Sequence, residues 1–222
     1  MPATTSIIPT GDTYIDGVLS GTKWAVNTLT FSFPSDPSFY GSAYGSGESS
    51  NYFEAFTFTQ QSAVRSILQN YASVINFTFT EVTETSTQHA TLRYAESDSP
   101  STAWGYYPSS ADVGGDMWFN NSGGRYDYPV QGNYAWLTIM HETGHAMGLK
   151  HPQTGSGSFG ILPADHDSVE YTVMSYRSYI GGPTTGLSNE YGGYPQTLMM
   201  YDIAALQEMY GANYTTNSGN SV

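Results

Sequence analysis

From Thr28 to Phe33 apolar and polar residues alternate, placing Leu29, Phe31 and Phe33 on one side, the period-two pattern of a half-buried strand. Asn76–Val82 repeats this with Phe77 and Phe79 inward, and Thr91–Ala95 and Asp116–Phe119 are shorter strand candidates. Between the first two strands the period lengthens. Val64, Ile67, Leu68 and Tyr71 recur at helical spacing and predict a helix over Gln60–Ile75, with Thr57 and Gln60 spaced as a capping box. A second helix is predicted over Tyr134–Met147, ended by Gly148. A third is predicted over Thr197–Tyr210, stopping at Gly211, where glycine can adopt the left-handed cap. Gly41–Asn51, Asn120–Gly124 and Gly155–Gly160 are rich in glycine and polar residues and read as surface loops. Strands with a crossing helix, followed by irregular chain with one helix, predict an α+β domain of two lobes.

Composition narrows the function classes. The chain has 222 residues, enough for one large core, with 39% hydrophobic, 15% aromatic and only 11% charged residues, which argues against disorder. Six Lys and Arg against 19 Asp and Glu leave a net charge of −13, which repels phosphate backbones and anionic lipid. Neither a nucleic-acid nor a membrane role is expected. Cysteine is absent, so disulfide scaffolds, thiol nucleophiles and cysteine zinc sites are excluded. No apolar run reaches the roughly 18 residues of a spanning helix, and the N-terminus shows no classical signal peptide.

The chemistry concentrates in HETGHAMGLKH, from His141 to His151. His141 and His145 are four apart and share one face of the second helix, so two neutral imidazoles can reach one zinc ion. Glu142 stands beside the first ligand, where a carboxylate can take a proton from a metal-activated water. On a continuous helix His151 would be about 80° off the first ring and roughly 15 Å further along the axis. Gly148 lets the chain turn back and bring His151 to the ion, and Pro152 keeps the helix from resuming. A lone helical histidine is ordinarily structural; five specified positions in one stretch are not.

His141, Glu142, His145, Gly148 and His151 match the extended zinc motif of metzincin peptidases. HETGHAMGLKHP, VMSY and YDIAALQEMYGAN, with weaker matches at IDGVLSGTKW, STAWGYYP and GGDMWFN, resemble the serralysin family over nearly the whole chain. Astacins depend on disulfides, and matrixins lack the tyrosine after the methionine. The resemblance implies a metzincin fold: a twisted, mostly parallel sheet with an antiparallel edge strand, an active-site helix, and a smaller irregular C-terminal lobe with one helix. It implies a single domain over residues 1–222, with a lobe of 1–147 and a lobe of 148–222.

It further implies that Met174 forms the floor beneath one catalytic zinc. Tyr176 ligates zinc at rest and then donates to the oxyanion, a role worth roughly 3–4 kcal/mol in other hydrolases. Extended peptide substrate pairs with the edge strand at Ala103, Trp104, Gly105 and Tyr106. The implied activity is that of a secreted, extracellular, monomeric zinc endopeptidase acting on proteins and peptides. The alternative is a non-catalytic peptide-binding protein on the same fold, which would be expected to have lost Glu142. Serralysins usually continue into a calcium-binding roll of glycine- and aspartate-rich repeats. This segment ends at Val222 without one, so calcium is possible but unsupported here. His89 and His166 fall outside the motif, and Asp112 and Asp116 lack the spacing of an oxygen-ligand loop.

Overall fold

The computed structural model describes residues 1–216. Near the N-terminus β1 (Thr4–Ser6) pairs antiparallel with β2 (Thr22–Trp24), and the single-turn helix α1 (Thr13–Asp16) lies between them. The main sheet begins with β3 (Thr28–Ser32) and the short β4 (Glu54–Ala55). Helix α2 (Phe58–Val74) carries the chain over to β5 (Thr78–Glu81), parallel to β3, as a parallel pair requires. β6 (Leu92–Ser97), β7 (Ala103–Gly105) and β8 (Met117–Asn120) complete the sheet, before α3 (Tyr134–Ala146) and α4 (Met200–Tyr210).

The strand order is β5-β3-β6-β8-β7, with β4 beside the far end of β6. β3, β5, β6 and β8 run parallel, while β7 is antiparallel to β8 and forms the edge. The domain is therefore α+β with a mostly parallel sheet, as the sequence implies.

All six residues of β6 are buried, because both faces of the sheet are covered. On one face Leu92 and Tyr94 meet Val64, Ile67, Leu68 and Tyr71 of α2 and Ile139 and Met140 of α3 within one core. Each such aliphatic side chain contributes about 1.5–3 kcal/mol by burial. On the other face Ala95 and Trp118 pack with Tyr40, Tyr44, Trp104 and Tyr106.

Gly41–Asn51, read as a surface loop, is partly interior. Tyr44 and Glu48 are buried, the Tyr44 hydroxyl donates to Asp116 at 2.5 Å, and Glu48 accepts from Ser46 N–H at 2.7 Å. The loop forms the second cover of the sheet, held by side-chain bonds that hydropathy does not register.

Two helix starts move and one cap differs. α4 begins at Met200 rather than Thr197, because Leu198 N–H and Met199 N–H bond the Asn70 and Asp202 side chains instead of continuing a helix. Thr57 is the N-cap of α2, in a true capping box with Gln60, so the helix starts at Phe58. Gly211 has φ 78° and ψ 151°, a positive-φ conformation that is extended rather than left-handed helical. Its carbonyl accepts from Asn76 N–H at 2.9 Å, and Ala212 bridges Ile75, so the chain leaves α4 along the end of α2.

Candidate metal centre

Asn133 caps α3 by accepting from Trp136 N–H at 2.9 Å. One turn apart on this helix, the His141 and His145 rings stand 4.8 Å apart, centre to centre. The helix then ends in a Schellman motif. Leu149 N–H bonds the Gly144 carbonyl and Gly148 N–H the His145 carbonyl, both at 2.9 Å. Gly148 has φ +101°, and a Cβ there would lie 2.5 Å from the Thr22 carbonyl oxygen, so glycine is required twice over.

The reversed chain lies against residues 18–20. Lys150 N–H bonds the Val18 carbonyl at 2.8 Å, and the Gly148 carbonyl accepts from Ser20 N–H at 3.0 Å. The buried Lys150 ammonium donates to the Gly17 and Gly160 carbonyls, and burial lowers its pKa to about 8. Two side chains tie down the last carbonyls of α3: Trp24 Nε1 donates to Ala146 O and the Tyr210 hydroxyl to Met147 O, each at 2.8 Å.

The result is convergence. His151 Nε2 lies 3.1 Å from His141 Nε2 and 2.9 Å from His145 Nε2. His141 Nδ1 faces the Val173 carbonyl at 2.8 Å and His145 Nδ1 the Leu149 carbonyl at 2.9 Å. A carbonyl can only accept, so both Nδ1 atoms carry the proton and both Nε2 atoms present lone pairs. His151 could offer a single proton to only one of them, which leaves an excess of lone pairs for a cation. Burial depresses the imidazole pKa values, to about 4 for His141 and about 3 for His151, and well below normal for His145. Neutral rings oriented by carbonyls are what a metal ligand set needs. Tetrahedral zinc at 2.0–2.1 Å sets its nitrogens about 3.3 Å apart, so the two contacts of His151 need to lengthen by only a few tenths of an ångström, and all three ligand atoms already lie within 4.8 Å of one another. Among the described residues this is the one group of three or more His, Cys, Asp or Glu that could hold a metal ion.

Glu142 is buried next to this cluster, and its Oε2 has no hydrogen-bond partner. Burial pushes its carboxyl up to about 8, opposed by the Gly105 N–H. A Cβ at Gly105 would lie 2.4 Å from the Glu142 carbonyl oxygen, so β7 approaches α3 as closely as it does because that position is glycine.

Met174 is fully buried, and a Cβ at Gly144 would meet its Sδ at 2.6 Å; the sulfur packs directly on the helix between the two histidines. The turn that carries it is held by Asp202 of α4, whose carboxylate accepts from the Thr172 hydroxyl at 2.5 Å and from Val173 and Met199 N–H at 2.9 Å. Through the Val173 carbonyl that hold extends to His141.

The Tyr176 ring lies 4.4 Å from His151 and 5.7 Å from His141, centre to centre, and burial raises its phenol to about 12. A cleft of about 220 Å³ opens beside it, lined by Ala103, Leu137, Thr138, His141, Glu142 and Tyr176.

The edge segment is split between two faces. Ala103 packs on the helix-side core and Gly105 lies against Glu142, whereas the Trp104 and Tyr106 side chains join the aromatic layer on the opposite face. One residue further, Tyr107 returns to the histidine side of the sheet with its ring 5.3 Å from His145. Sequence reasoning missed Tyr107, although the two-residue strand period continued past Gly105 points to it.

The set-aside residues stay outside. His89 Nδ1 pairs with Glu84, His166 packs among Tyr14, Tyr171 and Tyr201, and the Asp116 carboxylate is taken by Arg93 and Tyr44.

The family model described as Metallo-peptidase family M12 matches residues 24–212, from Trp24 under the end of α3 to the chain just beyond α4. The chain belongs to this family. Among its relatives, Serralysin C of Dickeya chrysanthemi is 34% identical over 195 residues, 83% of this chain and 40% of the relative. Metalloprotease AprA of Pseudomonas entomophila (strain L48) is 32% identical over 210 residues, covering 88% of this chain and 41% of the relative. Serralysin of Proteus mirabilis is 31% identical over 218 residues, 87% and 42% respectively. The M12 chain thus spans about two fifths of the length of the relatives it matches, and is a serralysin-type metzincin peptidase domain.

Proposed function

We propose that this M12 domain is a zinc-dependent endopeptidase that cuts extended protein and peptide substrates. The observation that supports it most is the convergence of three neutral imidazole nitrogens beside a buried carboxylate oxygen without a partner. His141, His145 and His151 would hold the ion, with Met174 beneath it. Bound there, zinc would supply Lewis-acid activation of water and polarise the scissile carbonyl.

Glu142 takes the proton from the attacking water and delivers it to the departing amine. Its burial suits this shuttle, since a desolvated carboxylate holds a proton more readily than one in water. Tyr176 would be a further ligand to the ion at rest, and when swung out its phenol donates a hydrogen bond to the developing oxyanion and keeps its proton.

Substrate joins the sheet at β7. The Thr102 carbonyl and Tyr106 N–H are spent on Asn120 of β8 and on Asp116 just before it, so the alternate backbone groups face away from β8, those of Ala103 toward the open edge and the Gly105 N–H toward Glu142. Trp104 and Tyr106 support this edge from behind.

The reading includes a cleft between lobes of residues 1–147 and 148–222, the last six of which lie outside the described residues. It also includes extracellular action as a monomer without nucleic-acid or membrane partners. No helix among the described residues is long and apolar enough to cross a membrane. Glu142 stands against the non-catalytic alternative.

Glu142→Gln tests the reading. The variant should keep its fold and bind zinc, while chelator-sensitive release of fluorescence from quenched casein falls by at least about a thousandfold. Wild-type cleavage by that variant refutes the assigned base, and chelator-insensitive cleavage by the parent refutes the metal.

A further inference from the structure

The turn below the metal centre is tied at both ends by buried carboxylates, and only one of them, Asp202, reaches the histidines. Asp167 is the other. It is 3% exposed; its Oδ1 accepts from the Ser175 hydroxyl at 2.6 Å and its Oδ2 from Arg177 Nε at 3.0 Å. Ser175 Oγ in turn accepts from Arg177 N–H at 3.0 Å, and the Arg177 carbonyl accepts from Val169 N–H at 2.9 Å. The Arg177 guanidinium also donates to the Gly182 carbonyl. Both residues flanking Tyr176 are thereby bound to one carboxylate. Ser175 is 1% exposed, and between the two anchors the Tyr176 side chain projects to 37% exposure.

We propose that Asp167 is a positioning residue for Tyr176. It touches neither the histidines nor the cleft. By fixing the main chain on both sides of the tyrosine, it confines the phenol's travel to rotation of its own side chain. The ring then leaves and regains its place over His151 without rearrangement of the turn. Losing the carboxylate frees two donors and lets the peptide planes beside Tyr176 drift, and misplacement of a reacting group by about 1 Å costs on the order of a hundredfold in rate. The proposal rests on the role assigned to Tyr176 under the peptidase reading.

A double-mutant cycle separates positioning from general support of the fold. Asp167→Asn is made alone and together with Tyr176→Phe, and kcat and KM on a quenched peptide are measured with zinc content. Hydrogen exchange across residues 168–177 is followed in the metal-free protein. Asp167→Asn should lower kcat about tenfold with KM within about twofold, but by less than about twofold once Tyr176 is already Phe. Exchange at Val169 and Arg177 should quicken at least about tenfold while zinc stoichiometry holds.

Ser175→Ala, which removes one arm of the clamp, should act in the same direction more weakly and serves if the Asn variant does not fold. Equal losses in both backgrounds, or unchanged exchange with wild-type kcat, overturn the proposal. If Tyr176→Phe is slow but the cycle is additive, the role of Asp167 alone fails. If Tyr176→Phe turns over like wild type, the tyrosine's role in the peptidase reading fails and Asp167 loses its function with it.

Discussion

Replacing Gly148 by Ala probes the joint on which the third histidine depends. At φ +101° an L-residue carries strain of about 1–3 kcal/mol. The new Cβ would also stand 2.5 Å from the Thr22 carbonyl oxygen, a backbone atom of β2 that cannot swing aside. The chain after the helix must therefore retreat, and the bonds it makes with Ser20 N–H and the Val18 carbonyl weaken, at about 1 kcal/mol each. Together these terms give a loss of about 3–5 kcal/mol. If the strain is instead released by letting residues 148–151 relax, the same energy is required to restore His151 on binding. Zinc affinity then falls by about a hundredfold to a few thousandfold, since 1.4 kcal/mol is a factor of ten. Urea unfolding of the metal-free protein and zinc titration against a fluorescent chelator measure the two routes. A variant with an unchanged urea midpoint and zinc affinity within about threefold of wild type would refute the argument.

Asp202→Ala strands the Thr172 hydroxyl and two backbone N–H groups in the interior and should cost about 3–5 kcal/mol by denaturant unfolding, with zinc affinity reduced at least about tenfold through His141. Unaltered zinc affinity in a folded variant would show that the turn does not orient that ring. Glu96, buried at the end of β6, is raised by desolvation to about 7 from 4.5, so the native state keeps a proton that the unfolded chain loses. Stability should decline by about 2–3 kcal/mol as pH rises from about 4.5 to 7, and Glu96→Gln should remove that slope and be the more stable protein at pH 8. A wild-type unfolding free energy that stays flat across this window would contradict the prediction.

The sequence is most readable where the physics is local. Thr57 and Gln60, and Gly148, act on residues within a turn of themselves, and the spacing of His141, Glu142 and His145 is a property of one helix. What it does not disclose are bonds between distant segments. Trp24 reaching Ala146, Tyr210 reaching Met147, and Asp202 reaching Val173 each depend on how elements dock, and a polar side chain gives no periodic mark of its partner. The aromatic cover from Tyr40 and Tyr44 hides in a glycine-rich loop for the same reason. β6 is read too short because it is buried on both faces, so the alternation that reveals a half-buried strand ends before the strand does.

The most direct measurement is an anomalous-scattering map at the zinc edge from crystals of the zinc-loaded domain. The account predicts one peak about 2.0–2.1 Å from Nε2 of His141, His145 and His151 together. A peak elsewhere, or one bound by the two helical rings with His151 turned away, would contradict it.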